Sequence, residues 1–280
     1  LTGTSGLINL GQAALAGTGA FMYLHLTKDW GVPFLPAIVL AGLTVVPMGA
    51  AIAIPALRLP GLFLALATFG FGQLVDGLLF GWTQFSGGQD GLRGTRPALL
   101  STDTKYVLFL VVMLALFLLA IGALRRSSLG RTLIAMRDSP LATETLGVNL
   151  LWPKIAVFAV SAFLAGAAGA LYAGHLQVAS KNFFMTFNSL LWIAVVVVGG
   201  VQSALGAVLG AFLLTWSPEL FGSNTTLLEY VTPAFGLGAI LLARRPGGLV
   251  RVLGNLAPNR LFVVRTRAPK PRPRPAAEAS

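Results

Sequence analysis

Chemistry needs groups that move protons, hold metals or attack carbon, and this chain offers few of them at useful spacing. Its 280 residues include no cysteine, two histidines and nine acidic residues. Disulfides and thiolate metal sites are therefore excluded. His25 and His175 have no second ligand at metal-binding spacing and read as packing or interfacial residues. The glycine-rich run SGGQDGLRG at 86–94 superficially resembles a phosphate cradle. It lacks the Lys-Ser/Thr ending and the strand–helix context of a nucleotide site, so it reads as a turn-rich loop. No nucleophile–base pair and no Walker motif is present, so the chain is expected to be no enzyme and to need no cofactor.

The polar residues of interest lie instead inside apolar stretches. Asn9 and Gln12 fall in a Gly/Ala-rich segment and need partners within a bundle. Gln73 and Asp76 lie near the far end of another segment. An acid within a membrane is costly and usually serves a pathway or a pair, although beside Trp82 it also suits the outer headgroup zone. Gly199 and Gly200, followed by Gln202, interrupt a third stretch; they suit either a translocation path or close helix packing.

The elements that must position these residues are membrane spans. The chain is 55% hydrophobic and only 10% charged, with a mean hydropathy of +0.79. A soluble domain carries about 25% charged residues, so this one lacks the means to cover a water-facing surface. Tyr106–Leu124 and Ile155–Gly174 contain no charge at all. Each is long enough to cross a hydrocarbon core of about 30 Å as a helix. The expected fold class is all-α, a polytopic transmembrane bundle of seven or eight segments. The others are Gly6–Leu26, Phe34–Ile54 (bent at Pro36 and Pro47), Leu62–Trp82, the stretch Ser189–Ser217 and Thr226–Ala243. Ser189–Ser217 reads either as two short spans joined by a tight turn or as one broken, re-entrant element.

Between the apolar halves lies one long polar interruption, residues 125–154. It carries Arg125, Arg126, Arg131, Arg137 and Lys154 against Asp138 and Glu144. Within it the residues predict a short helix, with Ser139 as N-cap, Pro140 at the first position, and Gly147 followed by Asn149 as the stop. Two turns are marginal in water alone, so the helix is expected to gain stability by packing, through Leu141 and Leu146, on a cytosolic partner. With this loop inside, alternation places fifteen Lys and Arg residues inside and five outside. That ratio obeys the positive-inside rule and explains the net charge of +11 without nucleic acid. The membrane region is thus 1–243. Residues 244–280 form a basic, Pro/Arg-rich cytosolic tail expected to be disordered.

Taken in order, several strings resemble one family. They are SGLINLGQAALAGTGAF (5–21), IPALRLPGLFLALATFGFGQ (54–73), the SGGQDGL loop, GRTLIAMRDSPLATETLGVN (130–149), KIAVFAVSAFLAGAAGALYAG (154–174), VVVVGGVQSALGAVLGAFLL (195–214) and ARRPGGL (243–249). The chain resembles the permease subunits of branched-chain amino-acid ABC transporters, the LivM-like branch, over nearly Gly6 to Leu249. The resemblance implies an importer in the cytoplasmic (inner) membrane that carries branched-chain or other hydrophobic amino acids. Its implied partners are a second permease subunit, two ATP-binding cassette subunits and an extracytoplasmic solute-binding protein. It also implies that Gly130, Arg131, Arg137, Asp138, Ser139, Pro140, Glu144, Gly147 and Asn149 form the loop that docks on an ATP-binding subunit.

Three departures stand out. The family pattern has a further span before the first one here. It has Glu and Arg where this chain has Gln73 and Asp76, and it has no Pro/Arg tail. A related permease for urea, amides or a sugar shares the frame. An ion-coupled secondary transporter would need mid-membrane carboxylates, for which Asp76 is the candidate.

Overall fold

The computed structural model describes residues 2–56, 59, 61–97, 100, 102–201, 203–221 and 237. Arg58, Gln202, the span expected at Thr226–Ala243 (Leu237 apart) and the tail 244–280 lie outside the described residues.

The architecture is a helical membrane bundle. Four long helices, α3 (Phe34–Ala56), α4 (Gly61–Leu78), α6 (Asp103–Arg126) and α9 (Leu151–Leu176), are long and apolar enough to cross a bilayer. The apolar run Lys181–Gly199 also reaches that length. Its α-helical part, α10, is only Asn188–Gly199. Such a helix measures about 18 Å, well short of a full hydrocarbon core. The chain is thus a multi-pass membrane protein, with Trp30, Trp82 and Trp152 exposed in the manner of headgroup anchors.

At the centre is α2 (Gln12–Lys28), rich in Ala and Leu, good helix formers. Twelve of its residues are buried, from Ala13 to Leu26. The segment expected as one helix from Gly6 begins instead at Gln12. A short helix α1 (Thr2–Ser5) precedes it, and residues 6–11 form a non-helical strap. The strap is held by a tertiary bond, Leu10 N–H to Thr68 Oγ1 at 2.9 Å.

Helix α2 packs on α9 at backbone-contact distance, and α3 packs against both. A Cβ on Gly19 would lie 2.3 Å from Gly166 O, and one on Gly169 would lie 1.8 Å from Ala16 O. Small residues permit this approach, and in lipid that packing is what joins helices. Gly166 and Gly169 thus form a close-packing face on α9. Towards one end the core is aromatic, with Phe21 and Phe80 centroids 5.2 Å apart. Towards the other it contains Leu15, Val45, Phe158, Leu133 and Met136.

Helix α3 runs unbroken through Pro47 and Pro55. After α4 come a single turn, α5 (Thr83–Ser86), and strand β1 (Leu92–Arg93), which pairs antiparallel with β2 (Val178–Ala179). This two-rung ladder fastens the glycine-rich loop to the end of α9. Nearby, Arg96 bonds Asp103, and its guanidinium lies 5.2 Å from the Tyr106 ring centroid. His25 bridges Asp29 Oδ2 (2.7 Å) and Phe85 O (3.0 Å), a packing role of the kind expected for it.

The ambiguous stretch forms a helical hairpin of α10 and α11 (Ala204–Phe221). A Cβ on Gly199 would meet Gly206 O at 1.9 Å, and one on Gly210 would meet Val195 O at 2.5 Å. Those pairings run antiparallel. The turn needs Gly200, whose φ of +117° disfavours any side chain.

Candidate functional site: a helical arm and a polar neck

The interruption between the apolar halves folds into two helices. Ser139 Oγ accepts from Ala142 N–H, Pro140 opens α8 (Pro140–Thr145), and Gly147 follows it at φ +78°. The short capped helix is therefore present where capping chemistry places it. Asn149, expected to help stop α8, serves the next helix instead: its Oδ1 accepts from Leu151 N–H at 2.9 Å, at the start of α9. Leu141 and Leu146 are 73% and 82% exposed. Asp138 and Glu144 are exposed as well.

Ahead of α8 lies α7 (Ser128–Asp138), which the sequence reading missed. Its signal was available in Leu129, Leu133 and Met136 at helical spacing behind Ser127. Ser127 caps it by accepting from Gly130 N–H. Gly130 is buried, and a Cβ there would lie 2.3 Å from Leu124 O. Arg131 Nη1 donates to Arg126 O at 2.9 Å. Arg137 Nη1 reaches across to Gly3 O at 2.8 Å, and Arg125 Nε donates to Thr4 Oγ1 at 3.0 Å. Arg137 thereby holds α1 to α7, and Arg125 holds it to the end of α6.

The strap after α1 leads to the other group. Two cavities, about 620 Å³ and 280 Å³, share Thr2, Asn9, Gln12, Ser161, Leu164 and Val196 in their walls. These shared residues make a neck. On one side the larger cavity is walled by Tyr172, Phe184, Ser189 and Trp192. On the other, the smaller reaches Arg125, at the end of α6 that joins the arm, and Ser203, between α10 and α11. At the neck Gln12 Nε2 donates to Ser161 Oγ at 2.7 Å. Asn9 is 7% exposed; its Oδ1 accepts from Gly11 N–H at 2.9 Å, while its buried Nδ2 has no partner.

The other expected path residues are placed elsewhere. Gln73 is exposed on α4, away from both cavities. Asp76 holds a backbone: its Oδ2 accepts from Thr186 N–H at 2.7 Å. Residues 180–188 run along α2. Phe184 packs at Gly17, and Ser189 Oγ accepts from Ala13 N–H at 2.9 Å. Replacing Asp76 by Ala would strand the buried Thr186 amide at about 1–3 kcal/mol. A lowered thermal midpoint in detergent is expected for Asp76→Ala, and a smaller loss for Asp76→Asn, whose amide oxygen still accepts. Gly199 serves helix packing, and Gly200 serves the turn.

Comparison with known proteins now bears on this arrangement. A family model described as "Branched-chain amino acid transport system / permease component" matches residues 1–241. The chain belongs to this permease family. Among curated relatives, it is 32% identical to the high-affinity branched-chain amino acid transport system permease protein LivM of Salmonella typhimurium, over 89% of this chain and 65% of that protein. The corresponding LivM of Escherichia coli is 31% identical over the same shares. The autoinducer 2 import system permease protein LsrC of an Enterobacter species is 29% identical over 66% of this chain and 54% of its own length. The chain thus spans about two-thirds of the length of its LivM relatives. No solved structure matches it.

Proposed function

We propose that the chain is the membrane-spanning subunit of an ATP-driven importer in the cytoplasmic membrane, carrying branched-chain or other hydrophobic amino acids. It would pair with a second permease subunit, two ATP-binding subunits and an extracytoplasmic solute-binding protein. The observation that carries this reading is the capped helix α8, which presents Leu141 and Leu146 to solvent on a basic arm. An isolated helix of six residues does not persist in water, and two leucines facing out of it are an uncovered contact. Docked on an ATP-binding subunit, the arm would move as that subunit closes on ATP. The bundle would then switch from outward- to inward-open, with solute passing the neck at Asn9 and Gln12.

The LivM relatives align over more of this chain than the LsrC relative does, which favours amino acids over other solutes. Uptake of radiolabelled leucine, urea and ribose by vesicles containing the assembled complex tests this. Leucine uptake that requires ATP is the expected result. Preference for urea or ribose would move the chain to a related permease class, and uptake without ATP-binding subunits would overturn the reading.

A further inference from the structure

The arginines where α6 turns into α7 divide into two pairs. Arg125 and Arg137 are committed to α1, at Thr4 Oγ1 and Gly3 O. Arg126 and Arg131 are exposed instead. Arg131 Nη1 donates to the carbonyl of Arg126, which keeps both residues at the same elbow. Neither forms an ion pair among the described residues, although Asp138 and Glu144 lie further along the arm. Two like charges held at one elbow repel, and an anion seated there relieves the repulsion.

The helix that leads into the elbow is uncovered along its apolar side. Tyr106 is the one buried residue of α6. Leu108, Val112, Leu116, Leu119 and Ala123 recur at helical spacing on the exposed side, and Arg126 continues the row. From Leu116 to Arg126 is about 15 Å along the axis, the depth of one leaflet. Trp152, exposed at the start of α9, lies at the same end of the bundle and suits the headgroup level there. Whatever covers this row must be apolar over the depth of a leaflet and anionic at its end. A phospholipid of net negative charge has that form, whereas a zwitterionic one also brings a cation against the arginines.

We propose that the α6–α7 elbow is a site for an anionic phospholipid, with its phosphate at Arg126 and Arg131 and an acyl chain along Leu116, Leu119 and Ala123. Arginine presents its donors as a planar fork, so each guanidinium can give charge-assisted hydrogen bonds to phosphate oxygens. The bound lipid would pin the start of α7 to the membrane surface. This inference does not depend on the importer reading.

The test uses the full chain in neutral detergent, with bound lipid counted by native mass spectrometry. Phosphatidylglycerol and phosphatidylcholine with the same acyl chains are titrated, and inorganic phosphate is the competitor. One phosphatidylglycerol per chain should bind about tenfold or more tighter than phosphatidylcholine. Arg126→Gln with Arg131→Gln should erase that preference, and Arg126→Lys with Arg131→Lys should keep most of it. Arg126→Gln alone breaks no side-chain bond among the described residues. It should weaken phosphatidylglycerol by about threefold or more. Lys28→Gln with Arg93→Gln removes the same charge from exposed side chains elsewhere and should leave the preference intact. Equal binding of the two lipids by the parent overturns the proposal. So does a preference that survives the Arg126 and Arg131 glutamine pair, or one lost equally in the Lys28 and Arg93 pair. Inorganic phosphate that displaces the lipid at equal concentration also overturns it, because the elbow would then hold a free anion and the apolar row would contribute nothing.

Discussion

Replacing Leu141 and Leu146 together by aspartate should abolish ATP-driven uptake while leaving the chain folded. Both side chains are largely exposed, so their loss removes little from the chain's own packing. Buried on a partner, each leucine contributes about 1.5–3 kcal/mol. The pair would therefore account for roughly 10²- to 10⁴-fold in affinity, before the added cost of desolvating two carboxylates. ATP-binding subunits should no longer co-purify, and leucine uptake should fall to background. The thermal midpoint of the chain should stay at the parent value, and Leu141→Met with Leu146→Met should retain most activity. Normal co-purification and uptake by the aspartate variant would show that α8 docks nothing.

A second large effect is expected from Gly169→Val. The new Cβ would begin 1.8 Å from Ala16 O, and the obstructing atom is backbone, with no flexible side-chain end to yield. Helices α2 and α9 would have to separate along their shared face. Overpacking typically costs about 1–3 kcal/mol, and a forced backbone displacement lies at or above the top of that range. Size-exclusion profiles in mild detergent should show the monodisperse peak lost. Gly122→Val on α6 is the comparison, since nothing lies within 4 Å of a Cβ there. That variant should behave as the parent, and equal damage from both would mean that valine in a helix, not the α2–α9 contact, is responsible.

The parts legible in the sequence were those governed by the bilayer. Expected spans at 34–54, 106–124 and 155–174 became helices at 34–56, 103–126 and 151–176, because the length of an uncharged run is set by hydrocarbon thickness. Helix α8 was legible for a different reason: Ser139, Pro140 and Gly147 act on their immediate neighbours. What was not legible depended on distant partners. The break at residues 6–11 is held by Thr68, 58 positions beyond Leu10. Asp76 gave no sign that a backbone amide 110 residues away would occupy it. Of the residues offered for a path, Asn9 and Gln12 meet at one neck with Ser161, whose hydroxyl looks like any other in an apolar helix until Gln12 bonds it.

The strap ahead of α2 gives the molecule a mechanical property. One end is clamped to α7 by Arg137 at Gly3, and the other is clamped to α4 by Thr68 at Leu10, with Asn9 next to that second clamp. A displacement of α7 would therefore reach Asn9 and Gln12 along continuous chain, as a bowden cable delivers a pull around a corner. Relay through the intervening lipid-facing helices is not required.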